Sequence, residues 1–293
     1  MDGVIVVDKP SGWSSHDVVN RMRRLAGTRR VGHLGTLDPM ATGVLPLVIG
    51  RATRLAQFFM PATKAYEATI LFGFATTTYD SQGEAVSTPV PVTLDREWLE
   101  RQVQSFIGKI EQVPPPVSAK KINGVPAYKL ARKQIEVKLN PVPVEIYRIE
   151  LGQVQGASAE LRVDCSGGTY VRSIAHDLGQ ALGYGAHLSA LRRTFSSGFG
   201  LESARTLEQL GELAEQGRLA EALIPSADLL PQFPTQMVDG STAGFIRQGR
   251  DFRVSPFRTQ PDARYVKAVD SNGNLVAIGE SRLPNVYHPI LVL

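Results

Sequence analysis

Residues 160–182 carry two hydrophobic periods back to back. Across Glu160–Cys165 the pattern alternates, with Leu161, Val163 and Cys165 on one face and Glu160, Arg162 and Asp164 on the other. That is the period of a half-buried strand. After Gly167-Gly168 the period becomes helical. Val171, Ile174, Ala175, Leu178 and Leu182 form one stripe in a helix expected from about Thr169 to Leu182, with Gly183 as its stop. A strand that passes directly into a helix excludes an all-α and an all-β chain. Strands and helices recur elsewhere without regular βαβ alternation, so an α+β fold is expected rather than a doubly wound α/β sheet.

The remaining elements follow the same rules. Val4–Val7 reads as a strand, followed by a turn through Pro10–Gly12. Ser14 and Ser15 are N-cap candidates for a helix that buries Val18, Val19, Met22 and Leu25 and stops at Gly27. Gly32–Gly43 fits neither period and reads as loop, and the apolar strand Val44–Val48 follows it. Lys64–Phe74 is strand by composition, and Asp80–Gly83 is a turn. Thr93 is expected to cap a helix that points Leu94, Trp98, Leu99, Val103 and Phe106 inward and ends at Gly108. After Pro114–Pro116 a basic excursion is expected: Ser118–Ile122, an Asn123-Gly124 turn, and a short helix Ala127–Lys133. Thr206 and Gln209 fit a capping box for a helix that ends by Gly217. Pro225, Pro231 and Pro234 mark a change in composition. Beyond them Phe252–Val254, Tyr265–Val269 and Leu275–Ile278 read as a small β module. The expected division is a larger domain, 1–227, and a module, 228–293.

Charge and composition narrow the function. Cys165 is the one cysteine, so no internal disulfide forms, and its inward strand position predicts a buried thiol rather than a nucleophile. No apolar run approaches the roughly 20 residues that cross a bilayer, and the N-terminus lacks the basic and apolar regions of a signal peptide. A cytoplasmic location is the expectation. The net charge of +4 is unevenly spread. Residues 1–65 hold nine basic residues against four acids, and residues 118–140 hold six against one. Two such patches suit a polyanionic partner, and equally suit plain solvated faces. There is no phosphate-binding Gly-Lys loop, no Gly-x-Gly-x-x-Gly and no Gly-x-Ser-x-Gly. The five histidines fall at no metal-ligand spacing.

One stretch stands apart. Between Gly32 and Leu45 the carboxylate of Asp38 sits mid-loop among glycines, five residues after His33. On spacing alone Asp38-Pro39 is a common turn. Against that, three glycines let backbone approach a ligand closely, and the apolar strand that follows anchors the loop. The run Gly32-His33-x-Gly35-x-Leu37-Asp38-Pro39-x-Ala41-Thr42-Gly43-Val44-Leu45 closely resembles the signature of TruB-type tRNA pseudouridine synthases. Four further segments resemble that family's motifs, in order: Asp8–Ser15; Lys64-Ala65-Tyr66 with Gly73–Gly83; Pro114–Lys133; and Gly167–Gly179. The resemblance spans about residues 3–200.

The resemblance implies a pseudouridine-synthase-like mixed, mainly antiparallel sheet with flanking helices. Its implied activity is isomerisation of uridine to pseudouridine at position 55 in the tRNA T loop, without cofactor or metal. Asp38 takes the place of the catalytic aspartate. Tyr66 matches the tyrosine that stacks on the flipped base, Arg172 the arginine that pairs with the aspartate, and His33 the histidine beside the base. Leu191 matches an apolar pocket residue, and Tyr170 and Lys64 are further carry-overs to substrate binding. Lys120, Lys121, Lys129, Arg132 and Lys133 would grip RNA phosphates from the excursion at about 114–142. Residues such as Ala243, Ile246, Gly249 and Arg250 resemble a PUA-like RNA-binding barrel. The chemistry suits these residue types. Arginine cannot lose its proton, so it can hold a pocket carboxylate ionised, and an aromatic ring replaces the stacking lost by an extruded base. Leu34, Met40 and Gln134 depart from the common family residues. A tRNA-folding module that works by binding alone, and a guide-RNA-dependent relative of the enzyme, are the competing readings. The basic excursion and the short C-terminal module argue for the guide-free type, with no obligate protein partner.

Overall fold

A computed structural model describes residues 1–59, 62–118, 139–255 and 263–293 in full, and the backbone of 121–122 and 125–126. The strands in chain order are β1 (Gly3–Lys9), β2 (Val31–His33), β3 (Thr42–Ile49), β4 (Lys64–Phe72), β5 (Gly108–Gln112), β6 (Lys121–Ile122), β7 (Val125–Pro126), β8 (Val142–Gln155), β9 (Ser158–Cys165), β10 (Ala186–Ser196), β11 (Phe199–Gly200) and β12 (Ile224–Pro225). They form one large sheet in the order β12-β1-β3-β10-β4-β9-β8-β5, with β2 added to β3 and β11 to β10, while β6 pairs with β7. The pairs are antiparallel except β3 with β10, which run parallel through Arg192↔Thr42 and Arg193↔Gly43.

Helices cover one face of the sheet. Ser15–Leu25, Arg96–Gln104, Val171–Leu182 and Leu207–Glu215 pack on a core that includes Ile5, Leu45, Leu47, Ile70, Phe72, Leu161 and Val163. The first helix starts at a capping box. Ser14 Oγ accepts from Asp17 N at 3.1 Å, and Asp17 Oδ2 accepts from Ser14 N at 3.0 Å, a cap worth about 1 kcal/mol. Over β1 and β3 the opposite face is covered as well. There Val4, Val6, Val44 and Val48 meet Leu55 and Phe59 and, from the C-terminal part, Val269, Leu275, Ile278 and Leu291. That part adds β13 (Thr235–Val238), β14 (Phe252–Arg253), β15 (Tyr265–Asp270), β16 (Leu275–Leu283) and β17 (Val286–Val292), ordered β13-β15-β16-β17-β14. Bulges at Ala268/Val269, Ile278/Gly279 and Ser281/Leu283 curl it into a half-barrel around Ile246, Phe252, Val266 and Tyr287. Among the described residues no helix is long and apolar enough to cross a membrane.

Several sequence expectations need correction. The helix expected to be capped by Thr93 is capped by Asp95, whose Oδ1 accepts from Trp98 N at 3.2 Å. Leu94 therefore precedes the helix, although it still packs on the core. Both ends of the loop expected over Gly32–Gly43 are strand: Gly32 and His33 belong to β2, paired to β3 through Val31↔Ile49 and His33↔Leu47, and Thr42 and Gly43 begin β3. The strand from Lys64 ends at Phe72, because Gly73 turns at φ +114°. The C-terminal part holds a helix, Gly240–Arg247, begun by Asp239, which accepts from Thr242 N at 2.7 Å. The Asn123-Gly124 turn and the helix expected over Ala127–Lys133 lie outside the described residues.

Gly43 sits where β3 and β10 touch. Its φ is +98°, and a Cβ there would lie 2.2 Å from the carbonyl oxygen of Arg193. Both strain and overlap with fixed backbone oppose any side chain. Gly43→Ala is expected to cost about 2–4 kcal/mol of stability. Urea unfolding should show this as a lower midpoint at unchanged slope.

Candidate active site

The loop that carries Asp38 crosses the helix-bearing face at the parallel seam, and three side chains from three elements hold it. Arg193 of β10 is fully buried. It donates from Nε to Val44 O (2.7 Å), from Nη1 to Thr36 O (3.2 Å) and from Nη2 to Gly35 O (3.1 Å). Ser15, at the start of its helix, donates from Oγ to Leu37 O at 3.0 Å and accepts from Leu37 N at 2.8 Å. Lys9, at the end of β1, is also fully buried and donates from Nζ to Pro10 O (3.0 Å), Trp13 O (2.6 Å) and Pro39 O (3.2 Å). Burial lowers the Lys9 pKa to about 8. Its charge therefore survives at neutral pH, where three carbonyls face it. Residues 35–37 and 39 are thus fixed, and Asp38 between them is held in one place.

Asp38 meets Arg172. Oδ2 lies 2.9 Å from Nε, and Oδ1 accepts from Nη2 at 3.2 Å. The Asp38 side chain stays 33% exposed, whereas that of Arg172 is 4% exposed. One end of the pair is therefore open to a ligand and the other is locked. Arg172 is locked by Asp80, whose Oδ2 accepts from Nη1 at 3.2 Å, and by the carbonyls of Thr78 (3.0 Å) and Val117 (2.9 Å). Asp80 in turn accepts from Thr78 Oγ1 at 2.6 Å and Gln82 N at 3.0 Å. Burial raises the Asp38 pKa above the ordinary carboxylate value and the Asp80 charge adds to that, while Arg172 and Lys9 oppose it. Its charge is lost as pH falls through that raised pKa.

The other expected residues fall around this pair. Tyr66 on β4 and Leu191 on β10 are 6% and 8% exposed and face the same side of the sheet, since Ala68 lies opposite Leu191 and Tyr66 opposite Arg193. Burial pushes the Tyr66 phenol up to about 12, so it is neutral. His33 Nδ1 accepts from Gly35 N at 3.3 Å. Burial, then Arg193, His16 and Lys64, lowers its pKa, which favours a neutral ring at neutral pH. Lys64 is lowered too, by burial and Arg193. Tyr170 precedes the Val171–Leu182 helix. Its backbone is gripped by Gln112, which accepts from Tyr170 N at 2.8 Å and donates to Tyr170 O at 3.0 Å. The charge of Asp38 reaches both Tyr66 and Tyr170. Lys120, Lys129, Arg132 and Lys133, and the side chain of Lys121, lie outside the described residues. Cys165 is buried and free, its thiol pushed up to about 11 by burial. Among the described residues no group of three or more His, Cys, Asp or Glu gathers to hold a metal.

Arg193, Lys9 and Asp80 are the site residues that sequence reasoning does not single out. Lys9 and Asp80 sit inside recognised motifs, and their burial is the signal that a motif alone does not carry. A groove of about 810 Å³ lined by Met40, Thr42, Glu67, Thr69, Leu191 and Arg192 includes Leu191 but not Asp38.

An open carboxylate paired with a locked guanidinium, at the seam of a mixed sheet, is the arrangement of an enzyme site. Residues 23–171 match the N-terminal domain of the TruB family pseudouridylate synthases, and residues 172–230 match the tRNA pseudouridylate synthase B C-terminal domain. The chain is 59% identical to tRNA pseudouridine synthase B of Solibacter usitatus (strain Ellin6076) over the whole of both chains. It is 47% identical to that of Arthrobacter sp. (strain FB24), over 82% of this chain and 81% of the relative. Among solved structures, a Cbf5-Nop10-Gar1 complex matches at TM-score 0.70 and 28% identity, covering 97% of this chain and 79% of that one. An H/ACA RNP bound to a substrate RNA containing 2'-deoxyuridine matches at 0.71 and 25%, covering 99% and 84%. The chain therefore belongs to the TruB family of pseudouridylate synthases, which makes it an isomerase. The two matched segments meet between Val171 and Arg172, yet β10 of the second inserts between β3 and β4 of the first, so together they build one sheet.

With its carboxyl carbon labelled, Asp38 is expected to titrate above the ordinary 3.8, and higher again in Arg172→Met, where the opposing cation is gone. NMR titration reads both values. A titration at or below 3.8 in the wild type would overturn the assigned balance of burial and charge.

Proposed function

We propose that this chain isomerises uridine to pseudouridine at position 55 in the T loop of tRNA, acting without guide RNA, with Asp38 as the catalytic carboxylate. The observation that carries this reading is the Asp38–Arg172 pair, in which the aspartate is open and the arginine locked. The reaction breaks the N1–C1′ bond of uridine and makes a C5–C1′ bond. A proton leaves C5 and one arrives at N1, so atoms and electrons balance within the nucleotide. A uridine inside a stacked loop cannot reach Asp38 and must be extruded. Tyr66 then offers its ring to the base, Leu191 an apolar wall, and His33, Lys64 and Tyr170 the flanks. Arg172 keeps Asp38 ionised in a pocket whose burial would otherwise protonate it.

The same reading divides the chain into a catalytic domain, 1–227, and a PUA-like RNA-binding module, 228–293. Within the first, the excursion at about 114–142 grips the T stem-loop through Lys120, Lys121, Lys129, Arg132 and Lys133. The root of that excursion bonds to the site, because Val117 O accepts from Arg172. RNA held by the excursion is in this way coupled to the arginine that holds the aspartate.

The direct test is incubation of the purified protein with unmodified tRNA transcript, followed by mapping of pseudouridine. Modification at position 55 without added cofactor or guide is expected, and none would sink the reading. Asp38→Asn should give no product while tRNA affinity stays within about tenfold, roughly 1.4 kcal/mol. In single turnover at saturating enzyme, Arg172→Met should lose more rate than Arg172→Lys and recover in part as pH rises, since loss of the cation raises the Asp38 pKa. Replacing Lys120, Lys121, Lys129 and Lys133 by Gln should flatten the salt dependence of binding by up to about 0.7–0.9 log unit for each phosphate no longer gripped.

A further inference from the structure

Trp13 has no part in the chemistry above, yet it stands exposed beside it. It is 39% exposed on the turn before the Ser15–Leu25 helix. With Gly12, Asp17, Asn20, Arg21 and Arg24 it lines a groove of about 350 Å³. Positions 13, 17, 20–21 and 24 recur at helical spacing, so the groove runs along one side of that helix for about 16 Å. The chain's other tryptophan, Trp98, packs against the core.

The ledge is rigid and tied to the aspartate loop. Trp13 O accepts from Lys9 Nζ at 2.6 Å, the same ammonium donates to Pro39 O at 3.2 Å, and Gly12 N donates to Pro39 O at 2.9 Å. Its charge is positive in effect. Among the described residues neither Arg21 nor Arg24 makes an ion pair. Asp17, the acid in the lining, is turned to Ser14, accepting from its N at 3.0 Å and its Oγ at 2.5 Å. An aromatic plane followed along one groove by two guanidiniums without ion partners fits one chemistry well: an unstacked nucleobase with the phosphates of the backbone leading away from it. The stacked bases of a duplex would offer no free face to such a ring.

We propose that the Trp13 ledge is a second nucleotide-binding site. It receives an unstacked nucleotide of the tRNA other than the one entering the Asp38 cleft, with the base on Trp13 and phosphates on Arg21 and Arg24. This inference rests on the tRNA reading above. It gives the enzyme a grip on RNA that is pinned, through Lys9 and Pro39, next to the reacting group.

Tryptophan emission tests it directly, with Trp13→Phe subtracted from wild type to isolate Trp13. Saturating unmodified tRNA should quench that signal. Trp13→Ala should weaken tRNA binding about fivefold or more, with the deficit in affinity and not in the single-turnover rate at saturating enzyme. Trp13→Phe should restore most of the affinity. The double variant Arg21→Gln with Arg24→Gln should flatten the salt slope by about 1.4, at roughly 0.7 per phosphate of a single strand. Unchanged Trp13 emission while tRNA is bound and modified would overturn the ledge and leave the functional reading standing. So would a loss in Trp13→Ala confined to the saturated rate, which would make Trp13 a support of the aspartate loop. A change of emission with protein concentration alone would assign the ledge to a second copy of the chain. If wild type neither binds nor modifies tRNA, both readings fall together.

Discussion

The buried guanidinium of Arg193 is the constraint on which the site depends. Taking a cation out of water costs several kcal/mol unless its donors are satisfied. Here the partners are three neutral carbonyls, Val44, Thr36 and Gly35, and two of them belong to the loop that carries Asp38. Any loop conformation that turned those carbonyls away would strand the charge, so Arg193 selects one conformation of the loop. It also bridges the short parallel junction of the sheet, where β3 and β10 share two residue pairs. The joining of these two strands and the rigidity of the Asp38 loop thus have one origin.

Arg172 shows a related balance. It lies in the first turn of the Val171–Leu182 helix, where the helix dipole disfavours a cation, and it is almost fully buried. Two carboxylates offset both costs. Asp80 and the carbonyls of Thr78 and Val117 take one side of the guanidinium, so it cannot pivot and offers its Nε/Nη2 edge to Asp38. Full satisfaction of Asp38 would leave it inert. Instead burial keeps its pKa raised, and one side of the carboxylate stays open while the other is ion-paired.

Much of this is legible in the sequence. Of the two cap candidates Ser14 and Ser15 the helix uses Ser14, the capping box at Thr206 forms where residue spacing places it, and the alternation of Glu160–Cys165 marks a strand with Cys165 buried. The failures have physical causes. β10 and β8 escape a reading by period because each carries two register shifts that break the alternation. In β10 the inward position after Leu191 is an arginine. Asp95 and Thr93 are both good caps, and only tertiary packing of Leu94 and Leu99 on the core decides between them. The Gly240–Arg247 helix includes two glycines in eight residues, and it owes its start to Asp239 rather than to propensity. Asp80 and Lys9 are visible as letters of a motif, but that they are buried and aimed at Arg172 and Pro39 follows only from chain segments far apart in sequence.

The net charge of +4 is too small to direct a polyanion, so direction must come from how charge is arranged. On the open face of the sheet acids and bases neutralise each other: Glu67 lies 3.9 Å from Arg162, Glu150 2.5 Å from Arg148, and Asp8 2.8 Å from Arg192. The C-terminal half-barrel covers the rest of that face with apolar side chains, and its own charge is close to balanced. On the other face Arg21, Arg23 and Arg24 lie on the Ser15–Leu25 helix and Arg29 and Arg30 follow it in the chain, and none forms an ion pair among the described residues. Paired charges cancel within a Debye length of about 8–10 Å, whereas unpaired ones reach to it. An approaching polyanion therefore meets attraction on the face where Asp38 waits, and Asp38 tolerates that approach because Arg172 and Lys9 stand beside it as cations.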